Sequence, residues 1–434
     1  MSVVAHPSAD STRAAATRVA AALRTEAGLA TLAMGVVGLH VLDDNFLQPN
    51  PGTSAADHLV SGLVPLVLLI IAGLSYARVR SGARATIALL AGFFGVLAGT
   101  EAVHYTRQVG PSGDDYSGLL SIPSGLVLVG LGVVILWRSR RTDDQLWWRY
   151  LRRLILIGIT LFAVAAALLP VTIAYVVTHA ARAKVPTADL GASYENVQFT
   201  TADGLRLKGW YIPSQNGAAV ISFPGRTSSQ KRAKLLARHG YGVLLFDRRG
   251  EGESEGDPNT FGWQGERDIH AAVAFLQRRP DIAPNRIGGI GLSVGGEMMI
   301  EAAAESSALK AIVSEGASSR SVRDELANGS GWQELIGNSV ATGATAVFTN
   351  NMPPRTLKSL VPQISGAVFF IYGARGQPAE QPANQSFYAQ ARGSKEIWEV
   401  PGSKHIGGTE AQPVEYERRV TAFFDRVLLG KESS

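Results

Sequence analysis

Cysteine is missing altogether from this 434-residue chain. A disulfide framework, a thiolate metal site and a cysteine nucleophile are thereby excluded together. Histidine is scarce, with 8 residues in all, so imidazole chemistry has few places to reside. Charge is thin as well: 41 Lys and Arg stand against 36 Asp and Glu, a formal net charge of +5. Up to residue 190 the count is 15 basic to 11 acidic, and beyond it 26 to 25, so the excess belongs to the first part of the chain. No stretch clusters Lys and Arg among aromatics, and nucleic acid is not expected as a partner. Internal repeats and low-complexity tracts are lacking too, and nothing fixes an oligomeric state.

Apolar residues are abundant, at 46%, which is high for a wholly soluble protein of two or three domains. The excess lies in five runs, at 28–42, 59–77, 85–103, 119–137 and 154–177. Most approach the ~20 residues a helix needs to cross a bilayer. The first is short and interrupted by His40, although residues 20–23 could extend it. Arginine then orients the bundle, because short cytoplasmic loops collect Lys and Arg. Arg13, Arg18 and Arg24 precede the first run, Arg78, Arg80 and Arg84 fill the second connection, and Arg138, Arg140, Arg141, Arg149, Arg152 and Arg153 fill the fourth. The first and third connections hold only Arg107. This pattern places the N-terminus in the cytoplasm and everything beyond Thr178 outside it. The charged opening leads into a span rather than a short apolar core with an A-x-A site, so no cleavable signal peptide is expected.

The expected organisation is a cytoplasmic segment at 1–26, a transmembrane bundle of about five helices at 27–178, a polar linker at 179–193 and a globular domain at 194–434. In that last part the periodicity changes. Two strands flank the Asp203-Gly204 turn, and short apolar runs at 218–223, 243–247, 287–290, 309–314, 367–372 and 395–400 read as strands. Helical patterns at 230–239, 266–277, 295–304 and 414–429 alternate with them. Such alternation implies an α/β domain, a mostly parallel sheet covered by helices on both faces. Residues 317–365 read as one long irregular segment, a cap or substrate loop.

Gly291-Leu292-Ser293-Val294-Gly295 is a G-x-S-x-G pentapeptide with an apolar run before it and a helical pattern behind it. A strand-to-helix turn around such a serine is tight enough to need small residues on both sides, and it lifts the hydroxyl above a helix N-terminus. Ser293 is therefore the candidate nucleophile. Further stretches fall in the same order. Asp247-Arg248-Arg249-Gly250-Glu251-Gly252-Glu253-Ser254-Glu255-Gly256 follows one strand, residues 280–288 lead into the elbow strand, and Pro401-Gly402-Ser403-Lys404-His405 follows the last strand. With these motifs, residues 194–430 resemble the α/β-hydrolase superfamily, in particular dienelactone-hydrolase-like and small esterase members. The preceding bundle lies outside that resemblance, and the combination resembles membrane-anchored hydrolases of bacterial envelopes.

The resemblance implies a serine hydrolase that needs no cofactor or metal. A serine hydroxyl requires a base, and imidazole titrates near neutral pH. His405 suits that role better than His239, which precedes a strand, or His270, which lies inside a helix. The family's acid commonly falls three residues after the glycine ending the seventh strand, and here that position is Gly376. Glu380 keeps the order serine, acid, histidine. Glu315, just past the sixth strand, is the alternative acid, and a dyad or water-assisted site is a third arrangement. The oxyanion needs two backbone donors: Val294, after the nucleophile, and Arg226 in the Phe223-Pro224-Gly225-Arg226 loop, since proline has no N–H. Asp247 and Arg249 read as a structural pair, and Asp268, Glu297 and Glu301 as solvated helix faces.

One group in the bundle stands apart. His40, Asp43, Asp44, Asp57, His58, Glu101 and His104 lie at span ends on the deduced outer side. Ionisable residues there are often functional. A rim that meets headgroups or docks the hydrolase is the preferred reading, and a metal or second catalytic site the alternative. The whole is expected to be a membrane-anchored hydrolase of carboxylic esters, acting on a small-molecule or lipid ester beside membrane lipids. A peptidase or amidase on the same residues and a catalytically inactive binding or sensing module are the rival readings.

Overall fold

The computed structural model describes residues 24–109, 113–138, 146–180, 182, 184–328 and 332–431. The proposed extension at 20–23, and Arg13, Arg18, Arg140 and Arg141, lie outside them. The chain forms two compact units, one made of the helices up to Val176 and the other of Val177–Ser434 with the short piece Asn50–Thr53.

The first unit contains α1 (Glu26–Leu42), α2 (Leu59–Tyr76), α3 (Ser81–Val109), α4 (Gly113–Arg138) and α5 (Leu146–Thr178). Among the described residues these are the five helices whose length and hydropathy suffice to cross a membrane. Leu68, Leu74, Leu120, Leu154 and Phe162 are all well exposed, an arrangement that lipid tolerates and water does not. Packing inside the unit relies on small residues. A Cβ on Gly92 of α3 would lie 2.8 Å from the Gly125 carbonyl of α4, and one on Gly125 would lie 2.6 Å from the Gly92 carbonyl. A Cβ on Gly99 would likewise lie 2.7 Å from the Gly118 carbonyl. Bare backbones in contact along a seven-residue spacing gain dispersion where lipid offers no hydrophobic drive.

Five of the acidic and histidine side chains at the span ends, those of His40, Asp43, Asp44, Asp57 and Glu101, are tied to hydroxyls or an amide. His40 Nδ1 meets Ser117 Oγ at 3.2 Å, Ser117 Oγ donates to Asp43 at 2.7 Å, and Tyr175 donates to Glu101. Asn45 donates to Asp44 and Ser54 donates to Asp57. Among the described residues, no three of these side chains gather to hold a metal ion.

The second unit is an eight-stranded sheet in the order β1-β2-β4-β3-β5-β6-β7-β8. Its strands are β1 (Glu195–Thr200), β2 (Arg206–Ile212), β3 (Ala219–Phe223), β4 (Gly242–Phe246), β5 (Ile287–Leu292), β6 (Leu309–Glu315), β7 (Ala367–Gly373) and β8 (Lys395–Val400). β2 pairs antiparallel with both β1 and β4, and the remaining pairs are parallel. Continuous apolar runs such as AVISF and GVLLF are buried along their whole length, as strands covered on both faces must be. Ile221, Phe223, Leu244 and Phe246 feed the core on one side of the sheet, and Val220, Val243 and Leu245 feed that on the other. Each such side chain contributes about 1.5–3 kcal/mol on burial.

Helices α6 (Gln230–Arg238), α7 (Gly265–Gln277), α8 (Val294–Glu305), α12 (Glu380–Gln390) and α14 (Pro413–Phe424) flank the sheet. The stretch expected to be irregular, 317–365, is largely helical instead: α9 (Val322–Asn328), α10 (Trp332–Thr349) and α11 (Leu357–Leu360). Among the side chains described on α10, only Thr345 is buried. A short helix, α13 (Gly408–Ala411), precedes α14. Chain order reverses at β3, which has β4 on one side and β5 on the other. Ligand sites of open α/β sheets form at the carboxyl ends of strands beside such a switch.

Candidate active site

Ser293 follows the last residue of β5 and precedes α8, with φ 52° and ψ −123°. A non-glycine residue held there costs of order 1–3 kcal/mol. The small neighbours are required: a Cβ on Gly291 would lie 2.3 Å from the Gly295 carbonyl, and one on Gly295 would lie 3.0 Å from Pro224. The Ser293 N–H donates to the Glu315 carbonyl at 2.7 Å, which fastens the elbow to the end of β6.

His405 reaches this serine from the loop after β8. Arg375 N–H holds the Ser403 carbonyl at 2.8 Å, so the loop is pinned before the histidine. His405 Nε2 then lies 2.8 Å from Ser293 Oγ, and its Nδ1 meets Glu380 Oε1. Glu380, the first residue of α12, is fully buried, and its Oε1 also accepts the Gln377 N–H at 2.7 Å. A Cβ on Gly376 would come within 2.4 Å of the Glu380 carboxylate. Glycine at the position where the family keeps its acid thus makes room for an acid supplied four residues later.

Glu315, the other expected acid, is turned elsewhere. Its carboxylate accepts from Arg232 at 2.9 Å, Tyr416 at 2.6 Å and the Gly408 N–H at 3.1 Å, and the Nδ1 of His405 is taken by Glu380.

The expectation that the Arg226 amide faces the oxyanion is corrected by the structure. That N–H donates to Asp247 Oδ1 at 3.2 Å, while the guanidinium binds Asp247 and Glu253 and lies over Trp210, 5.1 Å from the ring centre. The Arg226 N–H is thus committed to a carboxylate. Val294 opens α8 directly after Ser293, where an N–H has no partner within the helix.

Asp247 and Arg249 are buried, but they do not pair with each other. Arg249 binds Asp268 at 2.8 Å and Asp203 at 2.9 Å. The three acids expected on solvated helix faces are also buried: Asp268 on Arg249, Glu301 on Arg320 at 2.6 Å, and Glu297 under the Ser318 N–H at 3.0 Å. Burial pushes Glu297 up to about 7 against the pull of Arg320. The hydrogen bond that His405 donates to Glu380 raises the imidazole above its ordinary value, burial opposes this, and the charges of Glu380, Glu297 and Glu315 add to the rise.

Beside His405 an open groove of about 750 Å³ runs past Thr227, Ser228, Lys231 and Lys404. A smaller cavity of about 90 Å³ lies where Trp263 and Arg320 meet Asn338, Thr342 and Thr345 of α10. The arrangement can activate a hydroxyl, hold the resulting imidazolium, and admit a substrate to the carboxyl ends of β3 and β5.

Several known proteins are similar to this chain. The chain is 25% identical over 228 residues to the uncharacterized protein YfhR of Escherichia coli K12, covering 49% of this chain and 74% of that one. It is 38% identical over 117 residues to the polyketide transferase GrgF of a Penicillium species, 25% of this chain and 40% of that. A solved esterase of Pyrococcus furiosus, Pf2001, aligns with 57% of this chain and 97% of its own at 25% identity and a TM-score of 0.47. The family model for X-Pro dipeptidyl-peptidases matches residues 179–400, which include Ser293 and Glu380 and stop before His405. The chain therefore belongs to the X-Pro dipeptidyl-peptidase (S15) family, as an α/β-hydrolase domain preceded by five apolar helices of membrane-spanning length.

Proposed function

We propose that this hydrolase is anchored in a membrane and cleaves carboxylic esters through an acyl-enzyme on Ser293. The observation that carries the reading is the relay of Ser293 Oγ to His405 Nε2 at 2.8 Å and of His405 Nδ1 to buried Glu380. His405 takes the serine proton as Oγ attacks the carbonyl carbon, and the oxyanion forms beside the Val294 N–H at the start of α8. Glu380 holds the imidazole in the tautomer that leaves Nε2 free to accept, and it stabilises the imidazolium. Collapse breaks the ester bond, and His405 returns the proton to the departing alcohol. Water, deprotonated by His405, then attacks the acyl-serine, which releases the acid and restores the hydroxyl.

The membrane address favours lipid or other envelope esters, and the arginine distribution supports an extracytoplasmic domain. A second reading, peptide-bond hydrolysis on the same residues, is favoured by the family match. Both are tested on the full chain in detergent, with fluorophosphonate labelling beside nitrophenyl esters of graded chain length and X-Pro nitroanilides. The expected result is a labelled wild type that turns over esters and a Ser293→Ala variant that does neither. Faster turnover of the anilides would replace the ester reading with the peptidase one. A folded wild type that takes no label would leave a hydrolase-like binding module.

A further inference from the structure

The end of β6 touches both halves of the catalytic pair. Through its backbone, Glu315 accepts the Ser293 N–H at 2.7 Å. Through its carboxylate it accepts the Gly408 N–H at 3.1 Å, and Arg232, held on the same carboxylate at 2.9 Å, donates to the Ile406 carbonyl at 2.7 Å. Tyr416 closes the group with a 2.6 Å bond to Glu315 and its ring beneath the Arg232 guanidinium. The backbone on the C-terminal side of His405 is therefore gripped at two points. Ile406 needs that grip, because its φ of 49° is left-handed, a conformation that a β-branched residue avoids.

Gly316, next along, completes the fit. Its φ is +75°, and a Cβ there would lie 3.1 Å from His405 Cε1 and 3.2 Å from Nδ1, so the imidazole rests against bare backbone. The Arg232–Glu315 pair is almost wholly buried, at 5% and 2% exposure of the two side chains. Such a pair is a poor source of net stability, since desolvation cancels most of its attraction. Holding the loop in one position accounts for it better.

We infer that Glu315 is a positioning residue which, with Arg232 and Tyr416, holds His405 Nε2 within hydrogen-bond reach of Ser293 Oγ. This rests on the reading of Ser293 and His405 as nucleophile and base. The groups facing His405 are Glu380 on α12, Glu297 on α8 and Glu315 on β6, with Lys404 on its own loop and Arg232 behind Glu315. Removing the Glu315 charge therefore lowers the pH at which the base becomes available.

The test compares Glu315→Gln, Arg232→Lys and Tyr416→Phe in the full detergent-solubilised chain, by labelling rate, kcat, KM and pH profile. Glu315→Gln is expected to slow labelling and kcat by roughly tenfold or more, as small misplacements do. KM should change little, and the acid limb should move to lower pH. Arg232→Lys keeps the charge and should recover part of the rate. A residue serving stability alone would lower the unfolding temperature while the folded fraction kept wild-type kcat and limb, and that result overturns the inference. If Glu315→Gln fails to fold, Tyr416→Phe decides: a severalfold slower label supports the clamp, and a wild-type rate removes it. A wild type that takes no label ends both readings, whereas a labelled wild type matched by Glu315→Gln ends this one alone.

Discussion

As the proposed base, His405 has to accept a proton while carboxylates lie around it. Glu380 bonds to its Nδ1, and Glu297 and Glu315 lie close enough to favour the imidazolium. The base works only when neutral, so kcat/KM should rise with pH through a value above the ~6.5 of an ordinary histidine. In Glu380→Gln the hydrogen-bonded carboxylate that does most to raise it is gone. The acid limb should move down towards the ordinary value, and kcat should fall by about 10²-fold or more through loss of tautomer control. A pH–rate profile of both proteins on one soluble ester checks this, and an unmoved limb would separate Glu380 from the base. The meeting of Ser293 and His405 was legible in the sequence because each sits in a short local motif. Glu380 was legible only through chain order, since Gly376 reads as a gap until its missing Cβ is seen to make space. Arg226 was misjudged because a sequence does not show Asp247 waiting behind the loop. Arg232 and Tyr416 left no signal at all, being ordinary residues of helical stretches.

Among the elements, α3 and α4 approach closely where Gly92 meets Gly125. A side chain at either position must push a carbonyl aside, so Gly125→Leu should separate the two helices at a cost of about 1–3 kcal/mol. The check is the thermal aggregation midpoint of the detergent-solubilised chain, which should fall, whereas Gly130→Leu, with open space around it, should leave it unchanged. Spans and strands were legible because their apolar runs are long or continuous. The 317–365 helices were not: α10 contains Gly337, Gly343, Thr342, Thr345 and Val347, residues of low helix propensity, and tertiary context overrode the preference. The buried acids of α7 and α8 were misread for a related reason. Helical spacing shows which residues share a face, but not that Arg249 and Arg320 wait opposite that face.

For the whole molecule, the arginine distribution yields an orientation that can be measured. A phosphatase active only outside the cytoplasm, fused after Ser434, should be active, and a fluorescent protein that folds only in the cytoplasm should stay dark. The reverse pattern would place the hydrolase on the cytoplasmic side. The last span carries a consequence of its own. From Trp147 to Thr178 it is one helix of 32 residues, about 48 Å at 1.5 Å per residue, against a hydrocarbon layer of about 30 Å. Trp147, Trp148 and Tyr150 are exposed at its start, where aromatic rings favour the headgroup level. Some of its apolar length is thus surplus, to be taken up by tilt or by emergence. Anchored as proposed, the chain would carry slack along the membrane normal, enough to serve in bilayers of differing thickness with no change of sequence.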